Sequence, residues 1–142
     1  MLAFEILPSL VDAVQDEELK HALEEHLRET RAQAQRAEQA FGAVGVEPSS
    51  NRSGPLDALA SQHDELAGTI VLPSLRDAFH AAAAVATERL ELSLYDAAID
   101  LGRATDVAKD AVELLEQSRR EEEHALEAAE SARRRLVKTA SA

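Results

Sequence analysis

Apolar residues recur at steps of three and four along five stretches of the chain, the spacing that gathers side chains on one face of an α-helix. The first stretch, Leu2 to Val14, aligns Phe4, Leu7, Val11 and Val14, widened by Ile6 and Leu10, with Glu5 and Asp12 opposite. Pro8 lacks a backbone donor, which predicts a kink or a helix start close to it. Asp16 reads as the N-cap of a second helix, followed by Glu17 and Glu18 where the helix dipole favours negative charge. That helix runs from about Glu17 to Ala43, with Leu19, Leu23, His26, Thr30, Ala37 and Phe41 inward. Gly42 and Gly45 end it. The stretch from Gly45 to Pro55 has loop composition, and a connection of that length crosses the end of a helix bundle.

A shorter helix follows from Leu56 to about Ile70, with Leu59, Leu66 and Ile70 inward. Pro73 breaks it and Ser74 offers a new cap. The next long helix, Leu75 to about Leu101, carries Leu75, Phe79, Ala82, Ala86, Leu90, Leu94, Ala97 and Leu101 on one stripe, the expected inner face. The alanine run 81–84 marks a close approach by a neighbour. Gly102 is expected to stop this helix and Thr105 or Asp106 to start the last, from about Val107 to Val137. Its inner side is Ala111, Leu114, Leu115, Ser118, Glu122, Ala125, Ala129, Ala132 and Leu136. The tail Lys138–Ala142 is expected to fray. Four principal helices and one short one predict a single all-α bundle domain spanning residues 1–142. Breaks at 42–55, Pro73 and Gly102 exclude one long coiled coil, and no repeat at twenty to fifty residues suggests a solenoid.

Composition sharpens this picture. Hydrophobic residues make up 45% of the 142 residues but aromatics only 3%, and Ala and Leu are strong helix formers. The net charge of −12 argues against a phosphate backbone as partner. The longest basic run, Arg133–Arg135, suits a helix C-terminus. Without cysteine, disulfides, thiolate catalysis and sulfur-ligated zinc are excluded. No apolar run reaches membrane-spanning length, and the Glu5-containing N-terminus lacks a basic region, so a cytoplasmic protein without a signal peptide is expected. Ser-His-Asp and phosphate-loop chemistry find no support.

The chemistry lies in polar residues on or beside the apolar stripes, where burial is costly unless a charge is paired or bound to metal. Glu121 and His124 are three residues apart, the Glu-x-x-His spacing that di-iron four-helix proteins use on two of their helices. Glu122 lies on the apolar side between them. Glu88, Glu91 and Tyr95 share a face beside Val85 and Leu92. On the second helix His26 takes an aliphatic position, with Glu29 and Gln33 following. A structural reading makes His26 and His80 hydrogen-bonded core histidines, leaves His21 and His63 on the surface, and solvates Glu121–Glu123 beside Arg119, Arg120 and Arg89.

The run His21-Ala22-Leu23-Glu24-Glu25-His26-Leu27-Arg28-Glu29-Thr30, continuing through Gln33 and Glu38–Phe41, resembles the second helix of the ferritin-like YciE/YciF stress-protein family. Leu7-Pro8, Asp16–Leu19, Glu88 and Glu91 with Tyr95, and Leu114–Gln117 before Glu121-Glu122 follow in that family's order and spacing. The likeness spans about Leu2 to Ala129. It implies a ferritin-like antiparallel four-helix bundle with the short helix inside a long helix 2 to helix 3 crossover, often dimeric. It also implies a di-metal carboxylate site from Glu29, Glu88 or Glu91, and Glu121 or Glu122, with His124 as a candidate imidazole ligand. Three departures weaken that site. The family's helix-one acid has no counterpart, since Glu5 lies opposite the inner stripe. Ala32 stands where a helix-two histidine is expected, and Arg89 where a histidine is familiar.

These observations set three expectations. The first is a metal-free homodimeric structural or interaction module, stress-associated and not an enzyme, with Glu29, Glu88 and Glu121 held by Arg28, Arg89, Arg120 or by waters. The second is a functional di-iron or manganese site, oxidising iron or handling peroxide, with Glu88 and Glu122 bridging. The third is a helical regulator that docks a protein partner.

Overall fold

The computed structural model describes residues 3–48, 54–105 and 109–140, with 3–6, 54–57 and 59 described by backbone alone. These residues form five helices: α1 (Ala3–Ala13), α2 (Glu17–Ala43), α3 (Gly54–Thr69), α4 (Pro73–Ala104) and α5 (Lys109–Ala140). None of them is long and apolar enough to cross a membrane.

One end of the bundle is clamped by charge. Asp16 caps α2 by accepting from the Leu19 amide at 2.9 Å. Asp77, buried on α4, accepts from the Asp16 amide at 2.8 Å and the Gln15 amide at 3.2 Å. Arg135 reaches from the far end of α5 to donate to both Asp16 oxygens, at 2.9 and 2.6 Å. Its guanidinium holds the Asp16 carboxyl below the usual carboxylate range, burial opposing. Three helices therefore meet on one turn.

These contacts also fix direction. Asp77 meets the start of α2 while Glu88 meets His26 further along, so α2 and α4 run parallel. α5 runs against both, since Arg36 meets Ser118 and Arg89 meets Glu130. Parallel neighbours need a long crossover, and α3 lies within it.

The core joins Leu7, Leu10 and Val14 of α1 to Leu19 and Leu23 of α2, Ala78, Ala81, Ala84 and Val85 of α4, and Ala129, Ala132 and Leu136 of α5. Ala81 is fully buried, as the alanine run leads one to expect. Small residues let α4 and α5 approach so closely that a Cβ at Gly102 would lie 3.0 Å from Val112 Cγ2. Gly102 is thus a packing glycine and not a helix stop; α4 continues to Ala104. Gly45, at φ 68°, provides the left-handed turn after α2.

Several expectations need correction. The expected inner stripe of α4 is largely its outer face: Leu75, Ala82, Ala86, Leu90, Leu94, Ala97 and Leu101 are exposed and Phe79 is half-buried. The buried face carries Asp77, Ala78, His80, Ala81, Ala84, Val85, Glu88 and Ile99. This helix is apolar on two sides, and leucine content picked the wrong one. On α3, Leu66 is exposed while His63 and Ala67 face inward. Phe41 is exposed, and Gln33 and Ala40 take the inner positions of α2. Pro8 sits on the exposed side within α1, which neither starts nor ends there. Pro73 begins α4 at its first turn, where a missing donor costs nothing, behind Leu72 as the cap. Thr105 closes α4, and helix α5 persists through Ala140 where fraying was expected. The side chains of Phe4, Glu5, Ile6, Leu56 and Leu59, and residues 49–53, Asp106, Val107 and the last two of the tail, lie outside the described residues.

Replacing Asp77 by alanine leaves two backbone donors at the α1–α2 turn without their acceptor, which costs about 1–3 kcal/mol. Urea unfolding should show this as a lowered midpoint at unchanged slope.

Candidate metal centre

Midway along the bundle, three helices each send one polar side chain inward. His26 of α2 is 5% exposed, Glu88 of α4 3% and Glu122 of α5 0%. His26 Nε2 lies 3.2 Å from Glu88 Oε1 and 3.8 Å from Glu122 Oε2. One ligand atom from each of the three falls within 4.8 Å of the others, and no other such cluster exists among the described residues. The positions follow from helical spacing. His26 continues the Leu19, Leu23 stripe, Glu88 follows Ala81, Ala84 and Val85, and Glu122 sits four residues beyond the buried Ser118.

The bonding is incomplete. Both nitrogens of His26, both oxygens of Glu122 and Glu88 Oε2 are buried without a hydrogen-bond partner. The 3.2 Å contact of His26 with Glu88 is therefore an ion-pair distance without hydrogen-bond alignment. A small half-open pocket borders His26 and Glu88, lined by the apolar side chains of Leu19, Leu23, Ala84, Ala125 and Ala129 among others.

Burial and like charge set the protonation. Burial, reinforced by Glu88, pushes the Glu122 carboxyl up to about 10. Burial works against a charged Glu88 too, yet His26 and Glu122 outweigh it and hold that carboxyl below its ordinary value. His26 is raised, since Glu88 beside it overcomes the burial that disfavours its cation. One turn on from Glu88, half-buried Glu91 is raised to about 7 by burial and then by the Glu88 charge. Tyr95 follows and is pushed up to about 12 by burial. Glu29 stands 3.9 Å from His26 Nδ1, on the side of the ring away from Glu88, and is raised by burial and by Glu121.

The expected ligands thus divide. Glu88 and Glu122 enter the cluster, and Glu29 and Glu91 flank it. Glu121 turns away, taking an ion pair from Arg36 and hydrogen bonds from Gln33 at 3.3 Å and Gln117 at 3.4 Å. His124 is exposed, so the Glu121–His124 pair forms no half-site. The arginine pairings differ as well: Glu121 is held by Arg36 in place of Arg120, and Arg89 turns outward to Glu130 at 2.6 Å and leaves Glu88 free. The expected set omits His26, which joins Glu88 and Glu122 in the cluster. Its position on an apolar stripe was the signal, and His26-x-x-Glu29 reverses the sought Glu-x-x-His order.

Two ligands about 2.1 Å from one ion stand roughly 3.0 Å apart at octahedral and roughly 3.4 Å apart at tetrahedral angles; the 3.2 Å separation falls in that range and the 3.8 Å one lies just outside it. Two carboxylates and an imidazole suit a divalent first-row metal and balance its charge. A dinuclear centre of the ferritin-like kind takes about four carboxylates and two imidazoles, more than converge here.

No curated protein matches this chain, but solved structures do. YcfI of Rhodopseudomonas palustris, described as a candidate structural protein, superposes with a TM-score of 0.85 at 29% identity over 90% of this chain and 81% of its own. The E. coli stress protein YciF superposes at 0.88 with 23% identity, over 96% of this chain and 86% of its own. Both neighbours fit the YciE/YciF resemblance drawn from the α2 and α4 motifs. Residues 1–142 also match the family described as a domain of unknown function, DUF892, and the chain belongs to that family.

Proposed function

We propose that this protein is a ferritin-like structural bundle that holds one divalent transition-metal ion between His26, Glu88 and Glu122 and acts as a homodimer. One observation carries the metal reading: a ligand atom from each of these three buried side chains lies within 4.8 Å of the other two. Burying unpaired carboxylate oxygens costs several kcal/mol, and a shared cation removes that cost at all three residues at once. The oxygen majority among the donors favours iron(II) or manganese(II). Glu29, facing His26 Nδ1, would orient the ring toward the ion, as carboxylates do behind metal-bound imidazoles. The donor set is smaller than di-metal oxygen or peroxide chemistry requires, which supports a structural role, in line with how the R. palustris neighbour is described. The stress setting given for YciF is the physiological context this reading adopts.

The dimer rests on the outer face of α4. There Leu90, Leu94 and Leu101 are 37%, 57% and 65% exposed, interleaved with Ala86 and Ala97. Monomers seldom leave so long an apolar stripe bare. Leucines alternating with alanines make it self-complementary for a second copy crossing at this helix. The bordering cations Arg89 and Arg103 are already paired with Glu130 and Glu116 within the chain.

Anaerobic titration of apoprotein with manganese(II) or iron(II) should show one ion bound per chain. His26→Ala and Glu122→Ala should each weaken uptake by about 10–100-fold or more, with helix content kept. A wild-type chain that binds no ion, or variants that bind as tightly as their parent, would refute the metal reading.

Without metal, native Glu122 keeps a proton that the unfolded chain releases, so its contribution to stability falls as pH rises from 4.5 to about 10. Glu122→Gln, measured by thermal unfolding of the apoprotein, should flatten that decline and raise stability at pH 8 by about 1–4 kcal/mol, while losing stabilisation by added metal. For the dimer, Leu94→Glu should convert a two-chain species into a folded monomer in analytical ultracentrifugation. A variant that stays dimeric excludes the α4 face as the interface.

A further inference from the structure

A second pair of buried titratable rings lies outside this centre, where α3 meets α4. His63 Nε2 and His80 Nδ1 are hydrogen-bonded at 3.0 Å. His63 also lies flat on Phe79, with centroids 4.8 Å apart and planes 1° from parallel. The two histidines are 8% and 4% exposed. His80 is the hydrogen-bonded core histidine that the sequence suggests, whereas His63, expected on the surface, is buried beside it.

Through its described side chains, α3 is attached at a small patch. It packs chiefly on α4, and among its described side chains only His63 and Ala67 are buried. Among the described side chains of α3, the Ala67 contact, the His63–Phe79 stack and the His63–His80 hydrogen bond are the buried attachments. In that bond one neutral imidazole donates its N–H and the other accepts with a lone pair. A single added proton must go to an outer ring nitrogen; it keeps the ring-to-ring hydrogen bond but leaves a cation under the helix, which burial disfavours. For His80 that outer atom, Nε2, is itself buried with no hydrogen-bond partner. A second proton points two N–H groups at each other and sets two like charges about 3 Å apart, a repulsive contact in a partly dry site.

The carboxylates facing the pair, Asp64 and Asp77, favour the protonated rings but do not outweigh this. Asp64 of α3 is exposed. Asp77 of α4 is occupied by the Gln15 and Asp16 amides of the α1–α2 turn. Arg76 of α4, which donates to the Ile70 carbonyl, adds repulsion. Both rings are accordingly held below the ordinary histidine value, first by burial and, for His80, next by His63.

We propose that the His63–His80 pair is a proton-sensitive clasp: neutral, it docks α3 on α4; protonated, it releases α3 and uncovers Phe79 at the end of the exposed α4 stripe. For groups shifted downward in the docked state, the contribution to docking is complete above pH 6.5 and is lost as pH falls through the docked-state value. The clasp shares no residue with the metal centre and stands whether or not a metal binds.

Hydrogen exchange followed by mass spectrometry on the full chain tests it. Between pH 7.5 and 5.0, after correction for intrinsic exchange, protection of α3 should fall by about tenfold or more as the pair takes up protons and its share of the docking free energy is lost. Protection of α5 around Ala129 should hold. His63→Phe, which keeps a ring on Phe79, and His80→Asn should each lose the pH response of α3. Retained α3 protection in the wild type at pH 5.0, or the same fall in both variants, overturns the proposal. Should a variant fail to dock α3 even at pH 7.5, ring titration by NMR in the wild type decides. His63 and His80 must titrate below exposed His21, and titration at the same pH as His21 overturns the clasp.

Discussion

Removing two carboxylates and an imidazole from water, at the middle of a bundle otherwise built from alanine and leucine, is the constraint around which this structure is arranged. Glu88 and Glu122 cannot both stay ionised side by side in such surroundings, so one carboxyl takes up a proton, or a cation comes between them. Each of the three side chains comes from a different helix. The arrangement therefore exists only while α2, α4 and α5 hold their relative heights. Those heights are set at the bundle end, where Asp77 and Arg135 converge on the α1–α2 turn. The end clamp and the central cluster are thus two parts of one alignment.

Small side chains make the alignment possible. Ala81, Ala84, Ala129 and Ala132 let backbones approach closely enough for short-reaching Glu and His side chains to meet. Because the alanines also cover the cluster on one side, they raise the cost of any unpaired charge within it. The same economy of volume leaves the leucines of α4 unused inside. They appear on the outer face, where only a further surface can cover them.

Polar partners are distributed by reach as much as by charge. Arg36 extends along α2 to Glu121 and Ser118, drawing Glu121 out of the centre and leaving Glu122 as the inward member of the acidic run. Arg89 is long enough to reach Glu130 across the outside, so its position beside Glu88 does not repel a cation. His63 turns inward because α3 lies against α4 with Phe79 beneath the ring. No feature of residues 54–69 taken alone reports that stack.

Helix number, helix extents within a few residues, the Asp16 cap, the long crossover and the inward position of Glu122 were all legible from periodicity and local chemistry. Such features depend on neighbours three and four residues apart, which the chain itself carries. The identity of the buried face of α4, the entry of His26, the departure of Glu121 and His124, and the pairing of His63 with His80 were decided only by tertiary structure. A helix apolar on two sides does not announce which side a partner will cover. A histidine becomes a ligand, or one half of a clasp, only when a second helix brings an atom within about 3 Å of its ring, and that distance belongs to no single stretch of sequence.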